Sequence, residues 1–196
     1  MKRTLLFAVS ALLLLGAACS GRRSLLDGPR PLAVRMVESE IARHPSPTTL
    51  DGIPAGKVKW NYTSGLELLA FINAGEVYDR PDFYDYALRY YDTIVRPDAS
   101  VITYRKDKYN LDHVCPGRPL FIIAERTGEA RYAQVLDTLF SQLQEHPRND
   151  DGGFWHKQVY PHQMWLDGLY MAEPFYAEYA VRKMGGSELF GKLKAD

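Results

Sequence analysis

Residues Leu111–Gln144 read LDHVCPGRPLFIIAERTGEARYAQVLDTLFSQLQ, and this stretch decides the fold. It predicts a helix over Leu111–Arg126, a turn at Thr127-Gly128 and a partner helix over Glu129–Gln144. Glu129 falls at a first-turn position, where a negative charge favours helix initiation. The same pattern stands upstream: a helix over Thr63–Ala74, a turn over Gly75–Arg80 and a second helix over Pro81–Val95, with Pro81 suited to a first turn. Downstream, His162–Met184 opens a third unit. Gly65 and Gly117 lie 52 residues apart and Gly168 follows 51 later, each just inside the start of its helix. A period near fifty residues, each unit a helical hairpin, predicts an all-α helical toroid or solenoid. Strand signals are weak, with a short extended piece at Val101–Tyr104.

Working outward, 196 residues with 46% hydrophobic and 24% charged content fit one folded domain with a sizeable core. Formal net charge is zero, and −2 once the first eighteen residues and their Lys2 and Arg3 are removed. No basic face forms, which argues against a nucleic-acid partner. Lys2, Arg3 and the apolar run Leu5–Ala18 read as a signal peptide over residues 1–18, too short to span a bilayer comfortably. Leu15-Gly16-Ala17-Ala18-Cys19-Ser20 resembles a bacterial lipobox with Cys19 as the acylated residue. Gly16 stands where leucine is commoner, so an ordinary signal-peptidase cut stays open. The expected location is the envelope of a bacterium, by lipid anchor in the periplasm or outer membrane. Residues 19–31 read as a tether, and 32–196 as the domain, whose first helix covers Leu32–Arg43 and whose first loop is His44–Lys57. With Cys19 acylated, Cys115 is alone, in an apolar setting that suits a structural thiol.

The connections Val95–Asn110 and Pro147–Pro161 are long, polar and aromatic, and loops gathered at one end of a helix array are where sites are built. The second leads into Asp150–Tyr176, DDGGFWHKQVYPHQMWLDGLYMAEPFY. Aromatic faces to hold sugar rings, imidazoles and a carboxylate at a loop-to-helix junction suit sugar-processing chemistry. Asp112 and Asp167 each open the first helix of a repeat, which would place both at one end of the array, flanked by His113 and Trp165. The plainer reading is that each caps its helix. A helix N-terminus favours the ionised form, so a proton donor here needs burial or a second charge to hold its proton. His156 and His162 are candidates to bond substrate hydroxyls or orient an Asp. No metal-ligand spacing, nucleophile motif or phosphate loop is present, and no cofactor or metal is expected.

Several of these segments are similar to one known family. Leu111-Asp112-His113, Pro116-Gly117-Arg118, Arg126-Thr127-Gly128, Gly152–Lys157 (GGFWHK), Met164–Tyr176 (MWLDGLYMAEPFY) and Trp60-Asn61-Tyr62 resemble the unsaturated rhamnogalacturonyl hydrolases of glycoside hydrolase family 105. The similarity runs from about Leu32 to Lys183. It implies a six-hairpin (α/α)6 toroid that removes 4,5-unsaturated galacturonic acid from pectin-derived oligosaccharides by hydrating the vinyl-ether double bond. By resemblance Asp167 is the general acid/base and Asp112 sits opposite, while His156 and Trp165 line the subsite. Asn61, Tyr62, His113 and Arg118 count as further substrate-binding candidates, with Arg118 or Lys157 available for the substrate carboxylate.

The sequence reaches two complete hairpins and one further helix, about half of such a ring, so the expected fold is a toroid truncated to half. Two alternatives stay open. One is a family 88-like unsaturated glucuronyl hydrolase; the other is a non-catalytic half-toroid that binds oligosaccharide or a partner. Self-association of half-rings is a further expectation.

Overall fold

The computed structural model describes residues 30–184. The expected signal peptide 1–18, Cys19 and all but the end of the tether lie outside them, as do residues 185–196. The chain divides into a unit ending at Met36 and a unit beginning at Val37. Helix α1, Leu32–Arg43, spans that boundary. The second unit then contains α2 (Tyr62–Tyr78), α3 (Pro81–Ile94), α4 (Pro119–Thr127), α5 (Ala130–Glu145) and α6 (Leu166–Lys183). Helices α2 and α3 pack as one hairpin, α4 and α5 as a second, and α6 lies against α5 as the opening of a third. The expected all-α array of hairpins is therefore what forms. Among the described residues the extended structure is confined to three isolated bridges, one of them Val95 to Val101 where a short extended piece was predicted. No described helix is long and apolar enough to cross a membrane.

The second helix of each hairpin carries a one-sided apolar stripe. On α3, Phe83, Tyr86, Ala87, Tyr90, Tyr91 and Ile94 are buried, a spacing of three and four that lays one face on the core. On α5 the same spacing buries Tyr132, Val135, Leu136, Leu139, Phe140 and Leu143. Polar tips on buried rings tie successive units together. Tyr91 donates to the Pro116 carbonyl at 2.7 Å, and Trp60, almost fully buried, donates from Nε1 to the His113 carbonyl at 2.7 Å.

Two element boundaries differ from the sequence expectation, each for a local reason. Helix α2 does not stop at Ala74: it runs to Tyr78 and ends on Asp79 in the left-handed region (φ 53°). Gly75 is not a turn residue. It gives the Arg80 carbonyl room to approach, since a Cβ would stand 2.8 Å from that oxygen. The helix predicted from Leu111 is instead two single 3-10 turns, Leu111–His113 and Cys115–Gly117, leading into α4 from Pro119. Pro116 and Pro119 have no N–H to give to Asp112 and Cys115, so an α-helix cannot propagate through them, and three-residue turns carry the chain instead. Helix α6 begins at Leu166, just before Asp167 as expected, and His162 (φ 61°) stays in the loop ahead of it.

The three glycines spaced about fifty residues apart mark close approaches between units. A Cβ on Gly65 would overlap the backbone of Pro116, and one on Gly117 would overlap Leu139 and lie 3.0 Å from Phe175. Gly168 faces His156 and Leu111, each 3.3 Å from where its Cβ would be.

Candidate active site

The segment between α5 and α6 is irregular but highly bonded. Gly152 (φ 90°) lets the chain reverse, so that Asn149 N–H donates to the Gly153 carbonyl at 2.8 Å and Arg148 pairs with Phe154. Beyond it, Asn110 pairs with Lys157, Leu111 N–H donates to the His156 carbonyl at 3.1 Å, and His156 N–H donates to the Gln163 carbonyl at 2.7 Å. The backbone of His156 is thus held from both sides, and its side chain is 1% exposed. His146 supports the same strand of loop, donating from Nε2 to the Trp155 carbonyl at 2.8 Å. Burial pushes the His146 imidazole down to about 4.

His156 stands between the two carboxylates. Its Nε2 is 3.3 Å from Asp112 Oδ1 and its Nδ1 is 3.8 Å from Asp167 Oδ1. The Asp112 side chain is 15% exposed, and Lys157 Nζ lies 2.7 Å from its second oxygen. The Asp112 N–H is accepted by Asn110 Oδ1 at 3.0 Å, which closes the first 3-10 turn. Asp167 sits in the first turn of α6 with its side chain 54% exposed. Burial lowers the His156 pKa below the usual imidazole value, with Asp112 and Asp167 pulling the other way. His113 is lowered too, burial again leading, and its Nδ1 is buried without a partner.

The aromatic groups of the loop pack on one another and on its histidines. Trp165 is stacked on His156 at 4.3 Å and on Tyr160 at 5.2 Å, and keeps 39% of its surface exposed. Tyr160, which no sequence pattern singles out, is the outer ring of that stack. Lys157 Nζ lies about equally far from Tyr160 and Trp165, 6.0 and 5.9 Å from the ring centres. Trp155 packs on His162 instead, 4.5 Å between rings.

The other predicted residues are placed less directly. Asn61 is buried and gives its amide to Asp51 at 2.7 Å, with Thr63 also bonded to Asp51 and close to Asn61. Tyr62, half-buried, is the first residue of α2. His113 joins this element to the second hairpin through its carbonyl, which takes the Trp60 N–H. Arg118 reaches α6 one turn beyond Asp167, donating to Tyr170 Oη at 3.1 Å. Cys115 is buried and its thiol is pushed up to about 11, which suits a structural role. Beside Gly168 a cavity of about 50 Å³ is lined by Leu111, Gly153, Phe154, Met164, Trp165 and Leu169.

Among the described residues Asp112, His156 and Asp167 each bring one ligand atom within 4.8 Å of the others. A cation could be held there only by competing with Lys157, whose ammonium already compensates Asp112.

The family described as Glycosyl Hydrolase Family 88 matches residues 32–189. A solved glycoside hydrolase from family 105, of C. acetobutylicum ATCC 824, is 34% identical and superposes with a TM-score of 0.71. The match covers 82% of this chain and 42% of that one, so the chain spans less than half the length of that structure.

Proposed function

We propose, for a chain that belongs to glycosyl hydrolase family 88, that it serves the removal of a 4,5-unsaturated galacturonic acid from the end of rhamnogalacturonan fragments. The observation that carries this reading is the pair of carboxylates sharing one buried histidine, one acid enclosed and ion-paired and the other open to a ligand. The sequence block Met164–Tyr176 favours the rhamnogalacturonan substrate over glucuronyl disaccharides.

The reaction suits one proton-carrying acid. Asp167, protonated, gives its proton to C4; the electron pair of the C4=C5 bond forms the new C–H bond, and the ring oxygen stabilises the positive charge left at C5. Water adds at C5 and loses a proton to the Asp167 carboxylate, which restores the acid. The hemiketal then opens: the bond from C5 to the ring oxygen breaks, a C5 carbonyl forms, and that oxygen stays on C1. Collapse at C1 expels the partner sugar and leaves an aldehyde, with one water consumed. In this scheme Asp112, fixed by Lys157 and His156, faces the reacting ring and helps place the water. Trp165 lines the same subsite. Lys157 and Arg118 are the cations within reach of the substrate carboxylate.

The test is turnover by the purified chain of an unsaturated rhamnogalacturonan disaccharide beside unsaturated hyaluronan and chondroitin disaccharides, monitored by loss of the double-bond absorbance. Faster loss with the pectin-derived substrate is expected. Faster loss with the glycosaminoglycan disaccharides would move the assignment to glucuronyl hydrolysis. Saturable binding of all three with no absorbance change would replace an enzyme by a binding module.

A further inference from the structure

The loop between α5 and α6 turns twice within a few residues. Tyr160 N–H donates to the Lys157 carbonyl at 2.9 Å and Gln163 N–H donates to the Tyr160 carbonyl at 3.2 Å, so Tyr160 closes one turn and opens the next. Pro161 behind it fixes one backbone angle, and His162 at φ 61° completes the reversal. The reversal lays the Tyr160 ring on Trp165, 18° from parallel, and Trp165 lies on His156, 11° from parallel. The indole is itself held, donating from Nε1 to Gln163 Oε1 at 3.0 Å. Three rings thus form one column. It starts at the imidazole between the two carboxylates and ends at Tyr160.

The column uses the inner face of Tyr160, and the residue keeps 37% exposure. Among the described residues, the rings and cations that meet it are Trp165 and Lys157. Lys157 does not lie on the outer face. Its Nζ is 6.0 Å from the centre of Tyr160 and 5.9 Å from that of Trp165, whereas a group on the outer face would be much nearer to Tyr160. The ammonium therefore stands beside the column, 2.7 Å from Asp112. A flat ring fixed by its loop, with a cation at its flank, suits a pyranose: the C–H face packs on the ring and hydroxyls meet the N–H groups.

From this geometry we infer that Tyr160 is a binding residue for the sugar on the leaving side, whose ring lies flat on its outer face. The inference rests on the unsaturated uronyl ring reacting at Asp167 and Asp112. That ring meets the carboxylates at the His156 end of the column, and the thickness of the indole separates His156 from Tyr160. The sugar that reaches Tyr160 is the next one, beyond the bond that breaks. Stacking needs a flat face and not the phenol hydroxyl, so Tyr160 rewards the presence of a second ring.

The experiment compares two substrates of the full chain, the unsaturated rhamnogalacturonan disaccharide and the methyl glycoside of the same unsaturated acid, which lacks the second ring. Tyr160→Ala should raise KM for the disaccharide by about 10-fold with kcat kept, the size of one aromatic contact. On the methyl glycoside the loss should stay under about 2-fold, because no stacked ring is there to lose. Tyr160→Phe, which keeps the flat face, should restore the KM. Equal loss on both substrates means that Tyr160 only props Trp165 and overturns the inference, as does an unchanged KM. If Tyr160→Ala does not fold, Tyr160→Leu, which still covers the indole but offers no flat face, takes its place with the same expected rise. Binding is read separately by calorimetry with Asp167→Asn, which leaves the disaccharide unconverted; adding Tyr160→Ala should weaken it by about 10-fold. Silence of the wild type in turnover, with binding that depends on Tyr160, sinks the functional reading alone. Affinity indifferent to Tyr160, or no binding at all, overturns the inference.

Discussion

Asp112 and Asp167 stand at the same end of successive hairpins and share one histidine, yet their surroundings are opposite. Asp112 lies on a 3-10 turn forced by two prolines, is 15% exposed, and meets Lys157 and His156 with its two oxygens. Asp167 lies on a regular helix start, is 54% exposed, and has the distant Nδ1 of His156 beside it. A repeat places equivalent carboxylates in one region. The loop that carries His156 and Lys157 decides which aspartate is enclosed and which stays open.

The largest expected effect breaks the pair apart. On the proposed role of Asp167 as proton donor, Asp167→Asn should lower turnover by roughly 10³-fold or more, while stability stays within about 0.5 kcal/mol of wild type, as for other exposed positions. Asp112→Asn should lower turnover as well and also cost about 1–2 kcal/mol in urea unfolding, since Lys157 loses the partly buried charge it pairs with. Turnover and urea midpoints measured on both variants check this. Equal destabilisation by the two substitutions would erase the distinction between an enclosed and an open acid.

The next effect belongs to the enclosed side alone. His146, His156 and His113 all have imidazoles pushed down by burial, His146 to about 4. The unfolded chain binds these protons from about pH 6.5 downward, whereas folded His146 refuses its proton until about 4. The unfolded state therefore holds more protons in that window, and folding stability falls as pH drops from about 6.5 to about 4, then levels. For His146 alone the loss reaches up to about 3 kcal/mol. His146→Gln, which retains a donor for the Trp155 carbonyl, should flatten much of the slope in urea midpoints measured between pH 4 and 7. An unchanged slope would place the pH sensitivity elsewhere.

These contrasts also locate what could be read from the sequence. Helical spacing and the turn residues identified both hairpins, and the glycines at a period near fifty are the points where units touch. The boundaries that moved did so at Pro116 and Pro119, where backbone donors are missing, and at Gly75, whose small size serves a close approach and not a turn. Asp112, His156, Asp167 and Trp165 were legible as a group and do converge. The stacking of Tyr160 on Trp165 was not legible, because it depends on a loop that carries Tyr160 back onto the indole. Nor was the grip of Asp51 on Asn61, a contact set by the shape of the first loop rather than by any periodicity.

The smallest effect gives the sharpest separation of stability from chemistry. Gly65 and Gly168 hold corresponding places in the first and third units, but their surroundings differ as those of the two acids do. An alanine at Gly65 meets the backbone of Pro116, which cannot move aside cheaply, and a loss of about 1–3 kcal/mol is expected from overpacking. At Gly168 the new methyl meets His156 Nδ1 and Leu111 Cδ1 at 3.3 Å, tight contacts that a few tenths of an ångström relieve. Helix propensity favours alanine there by up to about 1 kcal/mol, so Gly168→Ala should unfold within about 0.5 kcal/mol of wild type. The relief, however, comes from moving the imidazole that stands between Asp112 and Asp167, and a displacement at that scale changes its distances to both carboxylates. A several-fold fall in kcat with KM nearly unchanged is the expected result. If Gly168→Ala kept full kcat, the close packing behind His156 would be a matter of fold alone, and the difference between the two glycines would end at stability.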